Sequence, residues 1–145
     1  MSELNLEQAQ TMVAAALAHA RANAMNPLAV CVLDARGALK AFAAEDGTSL
    51  NRADIARGKA NGALALGMGS RSLLKRAKDQ PYFISAATAA IGGSLIPVPG
   101  GVLIRSGEGK IIGVVGISGD TSDNDEACAV AGITAAGHLP DPGAD

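Results

Sequence analysis

The sequence predicts an α+β domain in which helices pack against a mainly antiparallel sheet. Two pairs of short apolar segments, 28–34 with 38–44 and 102–104 with 111–117, are each joined by a glycine-containing turn, as in β-hairpins. Helical patterns precede, separate and follow the hairpins, whereas a parallel sheet would alternate single strands with helices. The predicted order is therefore helix, hairpin, helices, hairpin, helix.

Composition narrows the class of protein. The length of 145 residues fits one domain, which we place at residues 1–139, and residues 140–145, rich in proline and glycine, are predicted to be a disordered tail. Hydrophobic residues make up 48% of the chain but aromatic residues only 2%, so alanine and the branched aliphatic residues must build the core. The net charge of −2, without a basic run, argues against nucleic acid as a partner.

The predicted environment is the cytoplasm. No apolar run reaches the roughly 18 residues that would span a bilayer, so no membrane partner is expected. The N-terminal sequence MSELNLEQ lacks the basic-then-apolar order of a signal peptide. Cys31 and Cys128 lie far apart and outside any CxxC pattern, which predicts reduced thiols, with no disulfide framework and no zinc site. No other metal site is expected.

The first helix begins after Asn5, which can cap it, with Gln8 completing a capping box. Its apolar residues recur at helical spacing, and Pro27 ends the segment. His19 lies at the edge of the apolar stripe. Such a histidine is usually structural; the alternatives are an axial ligand to a metal in a macrocycle or an acid–base group at a pocket rim.

The middle of the chain continues with strands and then helices. Segment 28–34 is apolar on both faces, which predicts a central strand, and Gly37 supplies the turn to its partner 38–44. A helix follows over about 50–66, in which Asp54 and Arg57 have the spacing of a surface ion pair. Lys59 adjoins a small-residue stripe, so it is either an exposed lysine or an anion-binding one. Two short helices, 70–78 and 81–90, complete this region.

A glycine-rich segment precedes the second hairpin. Residues 97–101 (PVPGG) are rigid and poor in side chains, so their backbone amides can face a ligand. Glycines also interrupt the last strand at Gly113, Gly116 and Gly119, as expected where another group approaches the backbone closely. Thr121 or Ser122 caps the final helix, whose acidic first turn suits the helix dipole.

Five segments spread along almost the whole chain resemble the GlcG/HbpS family, also found as the C-terminal part of PduO-type proteins. They occur in the family's order: AVCVLDARGALKAF (29–42), EDG (45–47), IARGKANGAL (55–64), PGGVLI (99–104) and GKIIGVVGISGDTSDNDEACAVAG (109–132). The resemblance implies a profilin-like or PAS-like antiparallel sheet of four to five strands flanked by helices. It also implies homo-oligomers, from dimers to octamers, and links to haem and to small organic acids.

One departure from the family concerns haem. A Pro-Thr pair common after the second helix is replaced here by Gly69-Ser70, and a threonine in that neighbourhood is implicated in haem-binding relatives. His19 then remains as the candidate axial ligand, with haem as the candidate cofactor.

The favoured function is a small-ligand-binding protein with an anion-accepting pocket between the second helix and the glycine-rich hairpin. The pocket would receive a small organic carboxylate or the propionates of a haem or other tetrapyrrole. Its predicted residues are Lys59, Pro99, Gly100, Gly101, Arg105 and Gly119.

The alternative is an enzyme, a deaminase, tautomerase or hydrolase, that acts on a small unsaturated or keto carboxylate in a catabolic pathway. Lys59 or Arg105 would hold the carboxylate of the substrate. Asp125 or Glu126 would move protons. A third interpretation is a structural oligomer without a ligand.

Overall fold

A computed structural model describes residues 3–145 of the chain as five helices and five strands. In chain order they are α1 (Leu6–Ala22), β1 (Ala29–Asp34), β2 (Leu39–Ala44), α2 (Arg52–Leu66), α3 (Ser70–Asp79), α4 (Pro81–Ala90), β3 (Gly101–Arg105), β4 (Ile111–Ser118), α5 (Ser122–Ala135) and β5 (Leu139–Asp141).

The strands form one antiparallel sheet in the order β2-β1-β4-β3-β5. Strands β1 and β4 are buried almost throughout, because each lies between two other strands and is covered by helices on both faces. The two hairpins are adjacent in the sheet, since β1 of the first pairs with β4 of the second. The predicted α+β class, with a five-stranded antiparallel sheet and flanking helices, is confirmed.

Helices cover both faces of the sheet. Helices α1 and α5 pack together on one face, over the side chains that include Val30, Val115 and Ile117. Helix α2 covers the other face, over residues of the opposite pleat such as Cys31 and Val114. Helices α3 and α4 form a smaller apolar cluster with the segment that precedes β3.

The ends of the helices follow local sequence chemistry. The Asn5 side chain accepts a hydrogen bond from the Gln8 amide at 2.8 Å, and the Gln8 side chain accepts one from the Asn5 amide at 3.4 Å, so the predicted capping box is present. Thr121 caps α5 by accepting from the Asn124 amide. None of the described helices is both long and apolar enough to cross a lipid bilayer.

The C-terminal segment is ordered, contrary to the predicted disordered tail. Residues 139–141 form β5 on the edge of β3, and Arg105 Nε contacts Asp141 Oδ2 at 2.9 Å. The Pro142 carbonyl then accepts from the Arg71 amide at 3.2 Å. The tail fits here because Gly69 has no side chain: a Cβ at that position would overlap the backbone of Pro142. Tertiary pairing thus overrides a composition typical of disorder.

Candidate functional site

Lys59 is buried, and its ammonium group is already paired. The side chain leaves α2 and donates from Nζ to the Ile117 carbonyl at 2.9 Å and to Asp125 Oδ2 at 3.0 Å. Lys59 is 2% exposed and Asp125 is 1% exposed. The interpretation of Lys59 as an exposed lysine is therefore wrong. The anion that it binds in this structure is a carboxylate of the same chain.

Glycines make room for this ion pair. A Cβ at Gly100 would lie 2.9 Å from Lys59 Nζ and 2.7 Å from the Ile117 oxygen, and a Cβ at Gly101 would overlap the Lys59 backbone. The Gly101 amide donates to Ser70 Oγ at 2.7 Å, so this backbone donor is already used. The pair therefore links the α2 layer to the α5 layer beside the start of β3.

Burial shifts the pKa values of both partners toward their neutral forms. It lowers the pKa of Lys59 and raises the pKa of Asp125, while the opposite charge of the partner counteracts each shift. Asp125 also accepts from the Asp120 amide at 3.0 Å, which helps to hold the carboxylate in place. Because neither side chain reaches solvent, the pair presents no accessible proton donor or acceptor.

Glu126 is also engaged within the chain. Its Oε2 accepts from Arg71 Nε at 2.8 Å, and the same guanidinium contacts Asp123 and, at 3.0 Å, Asp145. This network ties α3 to the start of α5 and to the C-terminal segment. Both carboxylates that were predicted to move protons are thus committed to ion pairs, and the geometry gives the enzyme hypothesis no support.

The other predicted pocket residues are divided between separate places. Pro99 is buried next to Gly100, in the segment beside the ion pair. Arg105 lies at the far end of β3, where it pairs with Asp141 and donates to the Gly109 carbonyl at 2.8 Å. Gly119 packs on the Pro27 carbonyl so closely that a Cβ would overlap it. The structure thus brings together Lys59 and residues 99–101 but not Arg105. Gly119 lies between Ile117, which accepts from Lys59, and Asp120, which donates to Asp125.

An open space lies beside the predicted position of the anion pocket. It is a cleft of about 620 Å³ between the first half of α2 and residues 92–96, which we call the α2 cleft. The Ile96 amide donates to the Gly58 carbonyl at 3.1 Å, and Asn61 Nδ2 donates to the Ser94 carbonyl at 3.0 Å, so the two walls are joined. Sequence reasoning missed this cleft. The available signal was Gly58 and Gly62, one turn apart on α2, which allow an apolar segment to lie against the helix.

His19 lies on the other side of the sheet from the α2 cleft. It is half-buried on α1, the helix that packs against α5. The imidazole ring forms no hydrogen bond with any of residues 3–145; only the His19 carbonyl accepts, from Asn23. Within one copy of the chain, a single ligand therefore cannot contact both the His19 ring and the α2 cleft.

Asp120 holds the loop after β4 to the loop before β1, and this contact predicts a pH dependence. Its carboxylate accepts from the Asn26 amide at 2.8 Å, from Asn124 Nδ2 at 2.7 Å and from the Thr121 amide at 2.9 Å. These hydrogen bonds lower the pKa of Asp120 below its usual value, and the one from the Asn26 amide has the largest effect.

A carboxyl whose pKa is lowered on folding contributes stability above its unfolded pKa, and that stability is lost as the pH falls through the folded pKa. We expect Asp120→Asn to lose less stability than the unchanged chain when the pH falls from about 5 to about 3. Urea unfolding across this range measures the difference. Parallel pH profiles of the two proteins would contradict the assignment.

The fold and the buried pair together define the class of protein. It is an α+β protein with one sheet and a helical layer on each face, and an internal ion pair connects the two helical layers. Residues 4–134 match the family described as "Haem degrading protein HbpS-like", and the chain belongs to this family. The match spans all five segments on which the resemblance depends. No curated protein matches the chain.

Solved structures share the whole architecture. HbpS is 25% identical, with a TM-score of 0.81 over 95% of this chain and 93% of that chain. The Klebsiella pneumoniae protein ORFY is 25% identical, with a TM-score of 0.82 over 92% of this chain and 90% of that chain. PduOC, solved as a complex with haem, is 23% identical, with a TM-score of 0.83 over 94% and 96% of the two chains. At 23% identity, the similarity to PduOC establishes a shared fold and nothing further.

Proposed function

We propose that the protein binds haem or a related tetrapyrrole and that His19 is the axial ligand to the metal. The description of its family names haem, and HbpS shares its fold. The observation that carries the proposal is the His19 imidazole. It is half-buried, it has no hydrogen-bond partner among residues 3–145, and its nitrogens are not enclosed, whereas Nε2 of His138, which also has no partner, is fully buried. A neutral imidazole nitrogen is the commonest protein ligand to haem iron.

The surroundings of His19 fit a flat macrocycle. On a helix, the side chains nearest to a residue are those three and four positions away. For His19 these are Ala15, Ala16, Ala22 and Asn23, so three of the four are alanines. Short neighbours leave the ring nitrogen accessible to a broad planar group, whereas long side chains would stand in its way. The haem itself would supply an iron with an open axial position, and the chain would supply the imidazole.

Gly69 and Ser70, which stand where the family commonly has the Pro-Thr pair, both contact other parts of the chain. Gly69 lies against the backbone of Pro142, and Ser70 Oγ accepts from the Gly101 amide. These residues therefore serve the packing of the C-terminal segment and of β3. A haem held through His19 does not use this region, so the departure from the family pattern follows from the packing of this chain.

The proposal does not extend to an anion pocket at Lys59. A ligand carboxylate there would compete with Asp125, which already forms a buried ion pair with that lysine. For the propionates of haem, partners elsewhere on the surface of the α1 and α5 layer would be needed. We also propose that the protein assembles into homo-oligomers and is located in the cytoplasm. Light scattering with and without haemin measures the assembly.

The test is a haemin titration of the full chain, followed by visible absorption. We expect a saturable red shift of the Soret band that His19→Ala weakens at least about tenfold in affinity, equivalent to about 1.4 kcal/mol. His138→Ala is the matched control, because it removes the other histidine of the chain. His19→Met keeps a ligating atom, so it should bind haemin with a different spectrum.

Two results would count against the proposal. An unchanged Soret shift in His19→Ala would remove His19 as the ligand, and equal losses in both alanine variants would show that the effect is not specific to His19. Circular dichroism of each variant establishes that the fold is intact before the titrations are compared.

A further inference from the structure

The walls of the α2 cleft are set by close contacts between two glycines of α2 and residues 95 and 96. A Cβ at Gly58 would lie 2.5 Å from Ile96 Cγ1, and one at Gly62 would lie 2.8 Å from Leu95 Cγ, so residues 95 and 96 rest directly on α2. The hydrogen bond from the Ile96 amide to the Gly58 carbonyl fixes their position along the helix. The cleft therefore has a preformed shape, as small-molecule sites usually do.

Four polar side chains line the cleft without partners. They belong to Asn51, Asp54, Arg57 and Ser94, and none forms a hydrogen bond or ion pair with another of residues 3–145. The Ser94 amide also has no hydrogen-bond acceptor in that part of the chain. Donors and acceptors that line one cleft without satisfying each other are available to a ligand.

The two charged groups in the cleft remain separate. Asp54 and Arg57 are three residues apart on α2, a spacing at which opposite charges usually pair, yet no ion pair connects them. The cleft thus offers one anionic and one cationic group, and Ile55, Leu95 and Ile96 supply its apolar lining. A ligand that satisfies both charges must itself carry both signs.

We propose that the α2 cleft binds a small zwitterion with a carboxylate and an ammonium group, of the kind present in a free amino acid. Arg57 and the Ser94 donors receive the carboxylate, since a guanidinium matches its planar geometry. Asp54 receives the ammonium group. The aliphatic side chains contact the apolar part of the ligand. The volume of about 620 Å³ lies within the range of small-molecule sites.

This site is separate from the proposed haem site and does not depend on it, because His19 and α2 lie on opposite faces of the sheet. A dicarboxylate is a poorer match, since its second carboxylate would meet Asp54. A simple amine is also poorer, since it leaves Arg57 unpaired.

The experiment uses calorimetry and thermal shift of the full chain with free amino acids that have aliphatic side chains. Each is compared with its N-acetyl derivative, which lacks the ammonium group, and its methyl ester, which lacks the carboxylate. We expect the free amino acid to bind at least about tenfold more tightly than either derivative.

Two variants assign the roles of the charged groups. Asp54→Asn should weaken binding of the free amino acid and leave binding of the N-acetyl derivative unchanged, whereas Arg57→Gln should weaken both. Glu7→Gln, an exposed charge change on α1, is the control and should bind like the unchanged chain. Absence of binding by every free amino acid at millimolar concentration would overturn the proposal. Equal binding of free and N-acetylated forms would also overturn it.

Discussion

Replacing Lys59 by methionine is expected to lower the free energy of unfolding by about 3–5 kcal/mol. Methionine fills a similar volume but cannot pair with Asp125, whose carboxylate is 1% exposed. That carboxylate would keep its hydrogen bond from the Asp120 amide and lose the one cation that pairs with it among residues 3–145. An uncompensated buried charge must then be desolvated or protonated, and either process costs stability. Urea unfolding followed by circular dichroism measures the loss.

Two further variants separate charge from packing. The double variant Lys59→Met with Asp125→Leu removes both charges, so we expect it to recover most of the stability that the single variant loses. Lys75→Met breaks the exposed pair with Asp79, both side chains of which are more than half exposed, and should change the unfolding free energy by less than about 0.5 kcal/mol. A double variant as unstable as the single one would show that shape, rather than charge, determines the effect.

The ion pair also bears on the α2 cleft. Lys59 directly follows Gly58, the residue on which Ile96 rests. By connecting α2 to Ile117 and to Asp125, the lysine holds this part of the helix against the sheet. Stability and the shape of the cleft thus depend on neighbouring residues of one helical turn.

The fold could be predicted because its main signals are local. Gly37 has a φ of 82° in the first hairpin turn, and Gly109 has a φ of 84° in the second, as turns of this kind require. Asn5 and Thr121 cap their helices through side chains three residues or fewer from the amides that they bind. Each signal acts within a few residues, so the sequence reveals it directly.

The site could not be predicted in the same way because its contacts join distant residues. Lys59 and Asp125 are 66 positions apart, and only the strand order β2-β1-β4-β3-β5 brings their helices to the same end of the sheet. The spacing of Asp54 and Arg57 predicted a surface ion pair, which the structure does not contain. Helical spacing makes such a pair available but does not determine the rotamers that form it.

The edge strand β5 illustrates the same limit. It has three residues, one of them proline, so local preference gives no reason to predict it. Its pairing with β3 and the ion pair between Arg105 and Asp141 supply the missing stability. Composition alone therefore predicted disorder where tertiary contacts impose order.

Gly116→Ala is expected to destabilise the protein by about 3 kcal/mol or more, although it adds a single methyl group. Gly116 lies in β4 at the point where α2 crosses the sheet. A Cβ there would overlap the Ala56 carbonyl oxygen and lie 2.8 Å from Ala60 Cβ. The nearest obstacle is backbone, which cannot rotate away as a flexible side chain can. Helix α2 would have to move off the sheet, and buried contacts along the helix would be lost with it.

Gly107→Ala is the matched control, because a Cβ in that turn has no other atom within 4 Å. It should change the unfolding free energy by less than about 0.5 kcal/mol. The double variant Gly116→Ala with Ala60→Gly removes the contact with Ala60 but leaves the overlap with the Ala56 oxygen, so we expect no recovery. Recovery in the double variant would show that the side-chain contact is the limiting one. If Gly116→Ala were as stable as the control, α2 could shift at little cost, and the α2 cleft would then lack the fixed wall that binding a small zwitterion requires.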